Sequence, residues 1–144
     1  LTDELVNLAH SDQEIIGVLA HEQAHLLKRH SLQQALSSLG FSVLYIAITG
    51  DSSDLMTTVP IAIVGAGYSR KFEQESDLYA LQLMHKNHIE TSHFANFLQR
   101  MSEDAEEDEE QSSWMSVLSS HPATAERIKM VREFEAKHPK QIAE

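Results

Sequence analysis

The sequence predicts an all-α or predominantly α fold, with residues 1–144 forming one domain. Glycine occurs five times and proline three times in 144 residues, so helices face few interruptions. Leucine, alanine, glutamate and glutamine, which favour helices, are plentiful. Apolar residues also recur at intervals of three and four over several segments, as on the buried face of a helix. A chain of this length can bury a single core.

The first predicted helix is short and follows Thr2, and the second carries the clearest start signal in the chain. Residues 11–14 read Ser-Asp-Gln-Glu, which has the form of a capping box that opens a helix to about His30. Residues 31–34 could start a new helix or let the old one continue with a bend. The apolar residues expected to face the core are Ile15, Ile16, Leu19, Leu26 and Leu27.

Two apolar runs, residues 41–49 and 55–68, are separated by the polar stretch Gly-Asp-Ser-Ser-Asp. Each run is shorter than the roughly 20 residues that cross a bilayer, so we expect a buried helical hairpin. The alternative is a hairpin at residues 41–67 that associates with a membrane. Exposed apolar surface there would also favour self-association.

Three further helices are predicted, at about residues 68–86, 92–101 and 122–137, with a turn at Asn87 or His88 after the first. Residues 102–111 are mostly acidic, which indicates a solvated loop or a frayed helix end. The last helix is expected to pack against the others. The predicted inward-facing side chains are Leu78, Leu81, Met84, Phe94, Phe97, Leu98, Ile128, Val131 and Phe134, whereas His85 and His88 are expected at the surface.

The charge and the cysteine count exclude several kinds of partner and site. The formal net charge of -11 argues against nucleic acid or an anionic membrane surface as a direct partner. There is no cysteine, so any metal must be held by nitrogen and oxygen atoms.

Residues 21–25 read His-Glu-Gln-Ala-His, the HExxH pattern of zinc metallopeptidases. On a helix, His21 and His25 lie one turn apart on the same face, where both can bind one ion. Glu22 lies beside them and suits the role of general base. The alternative is an amphipathic helix that carries two histidines by chance.

Glu73 and Asp77 form an ExxxD pattern that can complete such a site. Glu73 would be the third metal ligand, and Asp77, one turn later, could hold the second ring nitrogen of a zinc-bound histidine. Glu75 is a competitor for the third position, but it points about 200° away from Glu73 around the helix. The alternative is a solvated acidic face on a surface helix.

Three segments together resemble a known protein family: residues 1–6 with 17–25, residues 68–77, and residues 120–128. They are similar to the gluzincin zinc metallopeptidases of HtpX, CAAX prenyl protease, BepA and LoiP. The resemblance implies the helical core of a zincin-like domain that binds one Zn²⁺ per chain through His21, His25 and Glu73. It further implies that Glu22 is the catalytic base, that proteins or peptides are the substrates, and that the protein acts in quality control at the bacterial cell envelope.

The resemblance also draws attention to His121 and Arg127. In some relatives the corresponding histidine approaches the zinc, so His121 would be a second catalytic residue, acting as a switch or as an oxyanion stabiliser. The alternative is a plain helix boundary in which Pro122 is the first helical residue. Arg127 matches the family's arginine and could pair with a carboxylate near the site, or it could be an ordinary surface arginine.

The sequence departs from the family pattern in front of its first segment. Relatives have a small sheet there, which offers a docking strand for the substrate, so we expect a fragment of a longer protease with an intact metal site and activity in doubt. Two rival interpretations remain open. The chain could be a zinc-containing chaperone or adaptor whose site is closed by His121, or a histidine-rich module that buffers metal at several weak sites.

Overall fold

The computed structural model describes residues 3–50, 70–107 and 120–139, and within these ranges the chain forms helices and no strand. This confirms the predicted fold class for the part of the chain that is described. The helices, numbered here in chain order, are α1 Asp3–Leu8, α2 Asp12–Leu27, α3 His30–Thr49, α4 Arg70–Lys86, α5 Ser92–Glu107 and α6 Ala125–Lys137.

The core lies where α2, α4, α5 and α6 pack together, and α2 and α4 share the largest contact. The absence of a side chain at Gly17 lets α2 approach α5 closely, because a Cβ atom there would lie 3.0 Å from Phe94. The buried core side chains include Leu81, Met84, Phe94, Phe97, Leu98 and Val131, all predicted from the sequence. Ile128 and Phe134 are partly buried against the same core.

Helix α2 begins as predicted, with Ser11 as its N-cap. The Ser11 hydroxyl accepts the backbone N–H of Glu14 at 3.4 Å. The Glu14 carboxylate, 3 % exposed, accepts the backbone N–H of His10 at 2.8 Å and pairs with Arg100 of α5. The first turn of α2 is therefore fixed to α5 by a partly buried charge pair.

Helices α2 and α3 are separate, so residues 31–34 do not continue the first helix with a bend. Arg29 adopts a left-handed conformation with φ 55°, and α3 starts at the next residue, His30. The Gln33 side chain donates to the carbonyl of Lys28 at 2.7 Å and satisfies one of the free carbonyls at the end of α2.

The predicted core face of α2 is wrong. Leu26 is 79 % exposed and Leu27 is 62 % exposed, while Ile16 and Leu19 are also exposed and Ile15 is only partly buried. The buried stripe instead consists of Glu14, Gly17, Val18, Ala20, His21 and Ala24. Small residues allow α4 and α5 to approach closely, and the histidine face turns inward, so the large apolar residues are left outside. Leu78 of α4, predicted to point inward, is exposed for the same reason: the Glu73–Asp77 face is the buried one.

The predicted buried hairpin is wrong for its first half. Residues 41–49 form the end of the 20-residue helix α3, and the second run, residues 55–68, lies outside the described residues. Among the described helices, α3 has the length and hydropathy to cross a membrane, over residues His30–Ile48. Six of the large apolar side chains described on α3 are exposed: Leu32, Leu36, Leu39, Val43, Leu44 and Ile48.

The later helices differ from prediction mainly at their ends. Helix α4 ends at Lys86, and His88, with φ 58°, makes the predicted turn. Helix α5 continues to Glu107, so the start of the acidic run is helical, and residues 108–111 lie outside the described ranges. Helix α6 starts at Ala125 rather than Pro122, because the Thr124 hydroxyl caps it by accepting the Arg127 N–H at 3.3 Å.

Candidate metal centre

His21 and His25 lie one turn apart on the inner face of α2, as the HExxH pattern predicts. Their Nε2 atoms are 3.1 Å apart. His21 is 3 % exposed, and His25 is partly buried. The two imidazoles thus present the same ring nitrogen to one point between α2 and α4.

Glu73, in the first turn of α4, faces both histidines. Its Oε2 lies 3.3 Å from His21 Nε2, and its Oε1 lies 3.2 Å from His25 Nε2. Glu73 is 1 % exposed. Glu75, the competitor, contacts neither of these Nε2 atoms, and it pairs instead with Lys28 at 3.3 Å on a solvent-facing side of α4.

Asp77 lies behind His21, one turn along α4 from Glu73. Its Oδ1 is 2.8 Å from His21 Nδ1, so Asp77 can orient the ring while Nε2 points at the centre. Arg127 of α6 donates to both oxygens of Asp77, at 2.7 and 2.6 Å, and its Nη1 lies 3.0 Å from Glu73. Arg127 is 3 % exposed, so the surface-arginine alternative is wrong.

His121 approaches the same point from the segment before α6. Its Nδ1 lies 3.1 Å from Glu73 Oε1 and 3.4 Å from His21 Nε2, and its Nε2 lies 3.6 Å from the carboxylate of Glu22. Arg127 steadies this segment by donating to the carbonyl of Pro122 at 2.9 Å. His121 therefore stands between Glu73 and Glu22.

The four side chains fit a tetrahedral metal ion. His21, His25, Glu73 and His121 each offer one ligand atom within 4.8 Å of the others. Zinc bonds to nitrogen and oxygen of about 2.0–2.2 Å require neighbouring ligand atoms to be roughly 3.4 Å apart. The closest contacts among these donors are 3.1 to 3.4 Å. The donor set of imidazole nitrogen and carboxylate oxygen suits zinc.

The centre concentrates ionisable groups in a buried space. Burial alone would raise the pKa of Glu73, but His121, His21, His25 and Arg127 hold it well below its usual range. Burial likewise opposes ionisation of Asp77, and contacts with His21 and Arg127 lower its pKa. Burial would lower the pKa of His21, but Asp77 and Glu73 outweigh it, so the pKa is raised. Two buried carboxylates thus stay charged and favour a cation among them.

The comparisons with known proteins agree with this geometry. The family model that matches is that of peptidase family M48, over residues 1–135. The chain belongs to peptidase family M48. This confirms the resemblance to gluzincin metallopeptidases.

Two curated relatives of this M48 chain are metalloproteases by name. The mitochondrial metalloendopeptidase OMA1 of Schizosaccharomyces pombe is 26 % identical over 134 residues, which cover 90 % of this chain and 39 % of the relative. The metalloprotease YcaL of Escherichia coli is 28 % identical over 130 residues, which cover 85 % of this chain and 49 % of the relative. The chain therefore spans less than half the length of each. No solved structure matches it significantly. Membership in the family implies a metal cofactor.

The M48 chain contains one residue near the centre that sequence reasoning missed. His30, 2 % exposed, places its Nδ1 3.0 Å from His25 Nδ1 and stacks on Phe72 with ring centroids 4.3 Å apart. Burial lowers the pKa of His30, and the nearby His25 adds to the effect. The spacing of residues on a helix does not predict this contact, because the helix is interrupted at Arg29.

An apolar hollow opens beside the centre. It is bordered by His21, Glu22 and His121 and lined by core side chains that include Val18, Phe94 and Met101. Its free volume is about 20 Å³, enough for about one water molecule.

Proposed function

We propose that this chain carries the catalytic centre of a zinc-dependent metalloendopeptidase, which hydrolyses peptide bonds in proteins and acts in protein quality control. The observation that supports it best is the convergence of His21, His25 and Glu73 through donor atoms 3.1 to 3.3 Å apart. One Zn²⁺ per chain would be held by these three residues, with Asp77 behind His21. Membership in the M48 family supports the same reaction class.

Glu22 is the general base in this proposal. When bound, zinc supplies Lewis acidity that lowers the pKa of a water and polarises the scissile carbonyl. The Glu22 carboxylate, in a side chain that is 44 % exposed, is open to solvent and can take a proton from that water. It then passes the proton to the leaving amine.

His121 is the second catalytic residue in this proposal, with two uses for one imidazole. Its Nδ1 lies among the donors and could fill the fourth ligand position, which a catalytic zinc site must leave open. Its Nε2 faces Glu22, so a small ring movement would free that position and leave the ring close enough to donate to developing negative charge. A chaperone or adaptor with a closed zinc site would need the same four donors, but membership in a peptidase family does not favour that alternative.

Three variants test the assignment. Zinc content and cleavage of unfolded casein are measured on the full-length protein that carries this chain, as the wild type, Glu22→Gln, Glu73→Ala and Glu75→Ala. We expect one zinc per chain and cleavage in the wild type, zinc without cleavage in Glu22→Gln, loss of zinc in Glu73→Ala, and retention of zinc in Glu75→Ala. Loss of zinc in Glu75→Ala with retention in Glu73→Ala would overturn the ligand assignment. A wild type that binds one zinc and cleaves nothing would favour the adaptor alternative.

We further propose that the protein works at a membrane, through the exposed apolar side of α3. The helix has 20 residues, enough for about 30 Å, and Leu36, Val43 and Ile48 are exposed by 59 %, 67 % and 76 %. Flotation with uncharged phosphatidylcholine vesicles tests this. We expect the wild type to bind the vesicles and the double variant Leu36→Glu/Val43→Glu to lose binding. Leu78→Glu is the control and should still bind, because Leu78 is exposed on α4 and not on α3. Equal flotation of all three proteins would refute the proposal.

A further inference from the structure

We propose that His30 is a positioning residue for the metal centre, which accepts a hydrogen bond from His25 and thereby fixes the ring nitrogen that His25 offers to the metal. The inference rests on the proposed zinc site. It assigns a role to a buried histidine that lies outside the HExxH and ExxxD patterns.

The contact between the two rings determines which atom carries the proton. The Nδ1 atoms of His25 and His30 lie 3.0 Å apart, so one must donate and the other accept. His25 Nε2 faces His21 and Glu73 at 3.1 and 3.2 Å, and a metal ligand must use an unprotonated nitrogen. The proton of neutral His25 is therefore on Nδ1, and His30 Nδ1 is the acceptor.

His30 does for His25 what Asp77 does for His21. Asp77 Oδ1 lies 2.8 Å from the outer nitrogen of His21, and His30 Nδ1 lies 3.0 Å from the outer nitrogen of His25. Metal-binding histidines generally need such a partner to hold the tautomer and the ring orientation. The two HExxH histidines are thus supported by chemically different partners, a carboxylate and a neutral imidazole.

The fold holds His30 in place for this contact. In a continuous helix, residues five apart point about 140° away from each other, and their rings do not meet. The left-handed conformation of Arg29 breaks the helix and brings His30 back beside His25. The ring of His30 is stacked on Phe72 with an interplanar angle of 10°, and Ser76 Oγ lies 3.5 Å from its Nδ1.

The other nitrogen of His30 points towards a carboxylate. His30 Nε2 lies 3.5 Å from Glu75 Oε2, which also pairs with Lys28 at the end of α2. Because Nδ1 of neutral His30 is the acceptor, its proton is on Nε2, where the Glu75 carboxylate is the nearby negative charge. Glu75 thus lies beside His30 and is not a metal ligand in this proposal.

The test removes the acceptor and keeps an aromatic ring that can stack on Phe72. His30→Phe keeps the stacking on Phe72 and removes the acceptor, whereas His30→Asn offers an amide oxygen near the position of Nδ1. His138→Phe is the matched control, because His138 also stacks on a phenylalanine, Phe134, at 4.1 Å, and is exposed. Zinc affinity is measured by competition with a chromophoric chelator, and ligand geometry by the absorption spectrum of the Co²⁺-substituted chain.

We expect His30→Phe to weaken zinc binding about 10- to 100-fold and to alter the Co²⁺ spectrum. His30→Asn should recover most of the affinity, and His138→Phe should bind as the wild type does. If His30→Phe fails to fold by circular dichroism, His30→Gln takes its place, because its longer amide moves the acceptor away from His25. If His30→Phe, or His30→Gln in its place, binds zinc with wild-type affinity, the inference is overturned. The proposed function still stands in that case if Glu73→Ala loses zinc. Absence of zinc from the wild type would overturn both.

Discussion

Removal of the Arg127 guanidinium should destabilise the metal-free chain strongly. The side chains of Arg127, Asp77 and Glu73 are 3 %, 0 % and 2 % exposed, and Arg127 contacts both carboxylates. Arg127→Met keeps an apolar stem of similar length but removes the permanent positive charge that contacts both buried carboxylates. Breaking a buried pair in this way costs about 3–5 kcal/mol.

The assay is thermal and urea unfolding of the metal-free chain, followed by circular dichroism. For a chain of this size, 1 kcal/mol shifts the melting temperature by about 3 °C, so Arg127→Met should melt roughly 9–15 °C lower. The pKa of Asp77 is lowered in the fold, so its contribution is present above its unfolded pKa and is lost as the pH falls through the folded pKa. The difference between the two proteins should therefore narrow below about pH 4.

Arg132→Met is the matched control on the same helix. Arg132 is 38 % exposed and pairs with Glu135 at 3.4 Å and Asn96 at 2.7 Å, so its loss should cost about 1 kcal/mol or less. The reasoning is refuted if the two variants lose the same free energy of unfolding, or if the loss in Arg127→Met does not shrink in acid.

Two further predictions concern packing and protons. Gly17→Ala should lower the free energy of unfolding by about 1–2 kcal/mol, because the added Cβ would lie 3.0 Å from Phe94, although alanine favours a helix more than glycine does. Gly40→Ala is the control, because an added Cβ there meets nothing within 4 Å and should leave the stability unchanged or raise it. Both variants are measured by urea unfolding. Equal effects at the two glycines would contradict the close approach. Zinc must displace the proton of His21, whose pKa is raised, so zinc content should fall as the pH decreases through the range in which this imidazole takes up its proton, while Glu73 stays ionised. Unchanged zinc content at pH 4 would disprove it.

Prediction from the sequence was most successful for the two helix faces that carry the candidate metal-site residues. His21 and His25, and likewise Glu73 and Asp77, are four residues apart, so helix geometry alone predicts that each pair shares a face. The structure brings these faces together. The catalytic and ligand roles themselves remain predictions, which the variants above test.

Prediction from the sequence failed for apolar residues of α2 that do not face the core. Leu26 and Leu27 follow helical spacing, yet both are exposed because Ala20, His21 and Ala24 take the inner face. Hydrophobic periodicity finds an apolar face but does not say which neighbour covers it. The contact between His30 and His25 was not predicted, because it requires a left-handed conformation at Arg29. Helix ends with this conformation usually carry glycine or asparagine, and neither is present at that position.

The donor set also has a topological consequence. Glu73 follows His25 by 48 residues, so an ion bound to both would close a loop of that length. In the chain-entropy description of disulfides, a cross-link across such a loop removes about 4 kcal/mol of freedom from the unfolded chain. This protein has no cysteine. Its metal would thus serve as a removable cross-link between α2 and α4, and chelation would loosen the same two helices that carry the chemistry.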